Sequence, residues 1–170
     1  MARRHRGLAR LRLQEKGSVA VEFAILIPIF VLVVFGVADF GHAWYMRHVM
    51  QNACREGGRY GTRYQTDPAT GARILPKNLA PSISNYILNT AAGNGNTTGC
   101  GLSSMLPGTA SPQVTPTGPA ATETDVKHLP LEDLTVTVTA RKKWFIINKL
   151  VPGMTSDHID IKASATMKCE

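Results

Sequence analysis

Twenty consecutive positions, Val19 to Ala38, carry a single charge between them, that of Glu22. At about 1.5 Å per helical residue such a run reaches about 30 Å, the thickness of one hydrocarbon core. It is therefore long enough, though only just, to cross a membrane. An ionised side chain at bilayer depth costs roughly 2.5–3.5 kcal/mol even on lenient insertion scales, which makes the lone acid a functional candidate. Its place is specific: in Gly17-Ser18-Val19-Ala20-Val21-Glu22-Phe23 the carboxylate stands five residues after a glycine.

The flanks orient the span. Arg3, Arg4, Arg6, Arg10, Arg12 and Lys16 precede it against Glu15 alone, so the positive-inside tendency keeps the N-terminus cytoplasmic and delivers everything after Asp39 outside. The first seventeen residues hold +5 of the formal charge of +7, leaving +2 for the other 153. With the basic residues confined to the flank of an apolar segment, the charge describes membrane topology, and nucleic acid is set aside as a partner.

Two ordinary explanations compete for the apolar run. A secretory signal would end at the small residues Gly36-Val37-Ala38, but the run is longer than an ordinary signal core and carries an acid. An uncleaved signal anchor fits length and topology. Neither accounts for Glu22 at a fixed distance from Gly17.

On those residues the sequence resembles the prepilin class, in which a peptidase cuts after a glycine and Glu is the fifth residue of the product. The resemblance implies Gly17 as the last leader residue, Ser18 as the new N-terminus, and Glu22 with Phe23 as processing and assembly residues. The chemistry is coherent, because cleavage would place a positive α-amino group one helical turn from Glu22 on the same face. In filaments of that class the acid meets the amine of a neighbouring subunit, and a wrong axial register leaves a buried charge unpaired.

Two further segments, Phe35-Gly36-Val37-Ala38-Asp39-Phe40-Gly41 and Gln51-Asn52-Ala53-Cys54-Arg55-Glu56-Gly57-Gly58-Arg59-Tyr60, are similar to patterns of the TadE-like minor pilins, or pseudopilins, of the Tad (Flp) pilus machinery. Cys54 and Gly58 depart from those patterns, each replacing an alanine. The resemblance covers roughly residues 14 to 64, and at 170 residues the chain suits the TadE-like group better than the longer TadG-like proteins. TadF-like proteins share the same N-terminal design.

It implies a minor pilin taking part in assembly of a Tad type IV adhesive pilus. The implied location is the bacterial inner membrane, with one span, a cytoplasmic N-terminus and an extracytoplasmic C-terminal domain. The implied partners are the prepilin peptidase, other pilins and pseudopilins, the inner-membrane Tad assembly platform and the lipid bilayer. No catalytic role and no cofactor are implied. The alternative is an uncleaved single-span envelope protein whose periplasmic domain binds a partner or ligand; a small periplasmic enzyme released by signal cleavage is more distant.

The remaining organisation follows from periodicity. A basic leader occupies 1–17 and one transmembrane and amphipathic stalk helix 18–64, with Tyr45, Val49, Ala53 and Gly57 recurring every fourth residue. Arg47, Gln51, Arg55, Arg59 and Arg63 form a polar row. Pro28 is an expected kink, and Gly36, Gly41, Gly57 and Gly58 are expected soft points. Residues 65–170 read as a small α+β domain: Leu75, Leu79, Ile83, Tyr86 and Ile87 predict a short helix ending near Ala92 and packed on an antiparallel sheet. From Gly93 to Thr122 no residue is charged and 21 of 30 are Gly, Pro, Ser, Thr or Asn, which predicts a long loop.

Two strands alternate clearly. Leu134, Val136, Val138 and Ala140 share one face, as do Ile159, Ile161, Ala163, Ala165, Met167 and Cys169. Between them Trp144, Phe145, Ile146 and Ile147, followed by Val151 to Met154, suggest a broad apolar hairpin loop acting as core lid or partner surface. Three cysteines leave one over. Cys169 on the dry face and Cys100 in the loop are the candidate disulfide, which would anchor the loop, with Cys54 the odd one. His5, His42, His48, His128 and His158 are scattered without metal-ligand spacing, so no metal site is indicated, and Asp125 with His128 lacks a nucleophile elbow that would make a triad.

Overall fold

A computed structural model describes residues 6–88, 99–106, 112–144 and 155–170, with side chains from Gly17 onward. Helix α1 runs from Arg6 to Thr62 without interruption, passing through Pro28 and across the Gly17–Ser18 bond. From Val19 to Ala38 it is apolar all round but for Glu22 and beyond Asp39 it is two-faced, so among the described residues only the part beyond Ala38 has a folding partner.

Downstream come a 3-10 turn (Pro76–Asn78), the helix α2 (Ile83–Leu88), a one-turn helix α3 (Leu102–Met105), strand β1 (Gln113–Thr117), a helical turn α4 (Pro119–Thr122), a second 3-10 turn (Val126–His128), and the long strands β2 (Asp133–Lys143) and β3 (His158–Lys168). The strands form an antiparallel sheet in the order β1-β2-β3. The β2–β3 ladder is long and regular, from Asp133 opposite Lys168 to Lys143 opposite His158. The chain is thus α+β, with a small sheet domain wrapped on the distal half of one long helix.

The core lies between one sheet face and one helix face. Leu134, Val136, Val138 and Ala140 from β2 and Ile161 and Ala163 from β3 meet Met46, Met50, Ala53 and Cys54 of α1, with Ile83 and Ile87 of α2 closing one side. The alternation of β2 and β3 is the reason: a period of two puts every second residue against the helix. On α1 the buried stripe is rotated from the expected one. Tyr45 is exposed and Met46 and Met50 are buried, while Arg47, Arg55, Arg59 and Arg63 face solvent as their polar row predicts.

Two local expectations are corrected. The helix expected over Leu75 to Ala92 is divided: Pro76 opens a 3-10 turn, Leu79 is extended, and α2 starts only at Ile83. Pro81 supplies no N–H and biases Ala80 away from the helical region. Leu75, Leu79, Ile83 and Ile87 are nevertheless all buried, so the apolar spacing marked the core correctly and the backbone wrongly. The expected end near Ala92 lies outside the described residues. Within the expected loop 93–122 the chain instead forms α3, β1 and α4. Strand β1 has little apolar content of its own and exists by pairing, Val114 opposite Val138 and Pro116 opposite Val136; a proline is tolerable there because β1 is an edge strand.

Of the glycines read as soft points, Gly36 and Gly41 would meet nothing within 4 Å of an added methyl, whereas Gly57, like Gly61 one turn further on, is a packing position. A methyl added at Gly57 would sit 2.2 Å from Ile87 Cδ1 and 2.5 Å from its Cγ1, and one at Gly61 would sit 2.5 Å from Leu134 Cδ2. Glycine at these positions lets α2 and β2 approach the helix backbone. A Gly57→Ala chain should therefore lose about 1–2 kcal/mol in chemical denaturation of the detergent-solubilised protein, overpacking outweighing the gain in helix propensity. Gly41→Ala, where nothing lies within 4 Å of the added methyl, should be neutral or stabilising by up to about 1 kcal/mol.

Candidate functional site

The membrane-proximal site residues stand on a bare helix. Glu22 is exposed, Phe23 is 60% exposed, and a methyl at Gly17 would meet nothing within 4 Å. The helix from Gly17 to Thr62 contains an apolar window long enough to cross a membrane, none of it buried. Burial of a large apolar side chain is worth about 1.5–3 kcal/mol, so leaving even ten of them in water would forfeit on the order of 15–30 kcal/mol. That exceeds the net stability of a typical domain. Lipid or other protein must cover this segment.

At the C-terminal end of the apolar span the structure builds a site that the periodicity of the separate elements did not join. Asp39 and Lys142, 103 residues apart, form an ion pair with Nζ to Oδ1 at 3.0 Å, each side chain only 1% exposed. Lys142 also donates to the carbonyl of Lys143 at 3.3 Å, and its ammonium lies 4.8 Å from the centre of the Trp144 ring. Asp39 belongs to the Phe35–Gly41 segment, and Lys142 continues the dry face of β2 one step beyond Ala140. A signal was present: each charge falls where the periodicity of its own element asks for an apolar residue.

Other contacts tie α1 to β3 and to the segments around it. Gln51 Nε2 donates to the Ser164 carbonyl at 3.0 Å, and the Cys54 thiol donates to the Ala163 carbonyl at 3.3 Å. At the distal end the Glu170 N–H donates to the Thr62 carbonyl at 3.3 Å, and Arg73 donates to the Glu170 carbonyl. Tyr60 and Tyr86 stack with ring centres 4.1 Å apart, and Tyr60 Oη donates to the Pro81 carbonyl at 2.8 Å, holding α2 on the helix.

The cysteines do not assemble as the sequence suggested. All three are free thiols. Cys100, held by its N–H to the Tyr86 carbonyl, lies beside α1 near Ala53 and Glu56, whereas Cys169 ends β3, its N–H donating to the Glu132 carbonyl. The Cys100–Cys169 bridge is not formed. Burial is the largest influence on each thiol and raises it, pushing Cys100 up to about 11 with help from Glu56 and Cys54.

Among the described residues no three His, Cys, Asp or Glu side chains converge as metal ligands would. Asp125 and His128 lie 3.9 Å apart on an exposed turn. His48 packs edge-on against Trp44, ring centres 5.9 Å apart, and His42 is half-buried on α1. The apolar segment 145–154 lies outside the described residues; its first neighbour, Trp144, is half-buried with its N–H donating to the Asp157 carbonyl.

Compared with known families, residues 17–59 match the model of the TadE-like protein family, about a quarter of the chain. The match covers the span and most of the stalk, including Glu22, Asp39 and Cys54, and leaves the sheet outside. No curated protein and no solved structure matches the chain.

Removing one partner of a buried ion pair strands the other charge. Asp39→Ala and Lys142→Ala should each lower unfolding stability by about 3–5 kcal/mol, while Asp39→Leu combined with Lys142→Met should recover most of it, as read by denaturant titration in detergent. The thiols offer a second check. A folded-state pKa above the unfolded one means stabilisation present below about 9 and lost as pH rises through about 11 for Cys100. Alkylation by iodoacetamide at pH 8 should run on the order of tenfold or more slower for the folded protein than for the denatured chain.

Proposed function

We propose, from a chain whose residues 17–59 match the TadE-like family, that it is a minor pilin or pseudopilin of a Tad type IV pilus. In this reading it is inserted with its N-terminus in the cytoplasm and cut between Gly17 and Ser18 by the prepilin peptidase. The observation that carries the reading is the combination on one helix of a wholly uncovered apolar span, a lone acid five residues after Gly17, and a folded domain clasped to the distal half.

Each part has a role. Cleavage turns Ser18 into a cationic terminus one turn from Glu22, so a charge that is costly in lipid gains a partner within its own chain or in a neighbour. The apolar surface stays in the bilayer until assembly, when the same surface can be covered by other pilins instead of lipid. The sheet domain rides outside on the part of α1 that already has a partner. The work is structural, with the prepilin peptidase, other pilins and the inner-membrane assembly platform as partners.

Intact mass and N-terminal sequencing of membrane-extracted protein, made with and without the cognate prepilin peptidase, test this. A peptidase-dependent start at Ser18 is expected. A start at Met1 in both samples would select the uncleaved envelope anchor, and a peptidase-independent start at Asp39 would select ordinary secretion and remove Glu22 from the mature protein. With processing established, Glu22→Ala should leave the sheet domain folded by circular dichroism while reducing surface piliation at least about tenfold, since the loss is one of assembly.

A further inference from the structure

The packing of β2 on α1 fixes the height of the sheet domain above the membrane. Strand β2 begins beside Gly61, where Leu134 reaches the helix backbone, and ends with Lys142 paired to Asp39, so it descends α1 towards the span. The two lengths are compatible: eight residues of strand cover about 26 Å and twenty-two of helix about 33 Å, and the long Lys142 side chain spans the difference to reach Asp39. Trp144 lies two residues beyond Lys142 on the same strand face, about 7 Å further down. Its ring lies 4.8 Å from the Lys142 ammonium, which is itself 3.0 Å from Asp39, so Trp144 stands close to the level at which the apolar run ends.

Exposed apolar groups gather at this height on both elements. On α1 Phe40 is 67% exposed and Trp44 and Tyr45 are each 54% exposed, and Phe40 and Trp44 lie against each other with ring centres 6.3 Å apart. At the end of the ladder Ile159, on the core-facing side of β3, is exposed because the core has already ended. The charges there suit an interface. Lys142 is neutralised by Asp39 and Arg141 by Asp160 at 3.1 Å, while Lys143 alternates to the outer face, where its ammonium can reach headgroups. Aromatic residues and lysines in this arrangement are characteristic of the boundary between headgroups and acyl chains.

We infer that the extracytoplasmic leaflet is held at two places, by the Phe40, Trp44 and Tyr45 collar of α1 and by the Trp144 end of the β2–β3 ladder, so that the sheet domain lies against the bilayer before assembly. The occupant of this surface is the headgroup and upper acyl region of the leaflet that α1 itself crosses. The inference rests on the membrane-spanning part of the proposed function. A domain seated this way must be lifted off lipid when the subunit leaves the membrane, so the Trp144 end would add to the barrier to extraction.

The chain has two tryptophans, one in each half of the proposed surface. Full-length Trp144→Phe and Trp44→Phe proteins, each retaining a single indole, are reconstituted in phosphatidylcholine and phosphatidylglycerol vesicles with and without lipids brominated near the headgroup end of the acyl chain. Both emissions should roughly halve, the bromines being close to any indole seated in the interface. Trp44→Tyr substitutes if Trp44→Phe fails to reconstitute. Quenching of Trp44 without quenching of Trp144 would overturn the two-point contact while leaving the span intact, and would indicate a raised domain or one covered by a second copy. Stronger quenching of Trp144 by bromines at the chain terminus would overturn the interfacial placement. Quenching of neither would overturn the interfacial contact at both places, while the span itself is tested separately by whether the reconstituted protein resists alkaline carbonate extraction.

Discussion

One packed face, that of the paired strands β2 and β3 lying along the distal half of α1, holds the rest of this molecule in place. The helix has no reason of its own to fold against anything; β3 is held on it by Ile161, Ala163 and the bonds from Gln51 and Cys54, and β1 is held through β2 and α2. At the distal end the contact is tight because Gly57 and Gly61 leave room for Ile87 and Leu134 at the helix backbone. At the membrane end it is directional, because Asp39 and Lys142 are buried with a 3.0 Å separation. An apolar interface alone would tolerate a slide by one helical turn. A slide that separates this pair leaves two charges in a dry site, at a cost of several kcal/mol.

The same clasp divides the helix into two regimes. Beyond Asp39 its inner stripe is covered by the sheet; before it nothing covers the apolar surface. The division falls at the residue where the apolar run stops, so the folded domain begins where the span ends. A subunit of this build can pass from lipid to a protein assembly by exchanging the cover of one half while the other half keeps its packing.

Much of this was legible in the chain. The span, the polar row of arginines, the two long strands and their dry faces all follow from periods of 3.6 and 2, which act over a few residues. Misreadings arose where local rules met competing ones. Leu75, Leu79, Ile83 and Ile87 kept helical spacing, yet Pro76 and Pro81 broke the backbone between them. Gln113 to Thr117 lay in a stretch with the composition of a loop, and only the exposed edge of β2 made it a strand. Gly57 looked like a weak point and proved to be a point of closest approach, a distinction that depends on a neighbour far away in sequence.

The candidate site divides along the same line. Glu22 and its distance from Gly17 are properties of the sequence alone, because a lone charge in an apolar run is anomalous in any fold and cleavage chemistry reads a linear segment. The partner of Asp39, the separation of Cys100 from Cys169 and the height of Trp144 are not. Each depends on which strand lies against the helix and in what register, and that was decided only when side chains 103 residues apart came within reach. Local periodicity determined which elements form and which faces are dry; tertiary packing decided which of those faces meet, because the energy that selects a register belongs to pairs of distant residues.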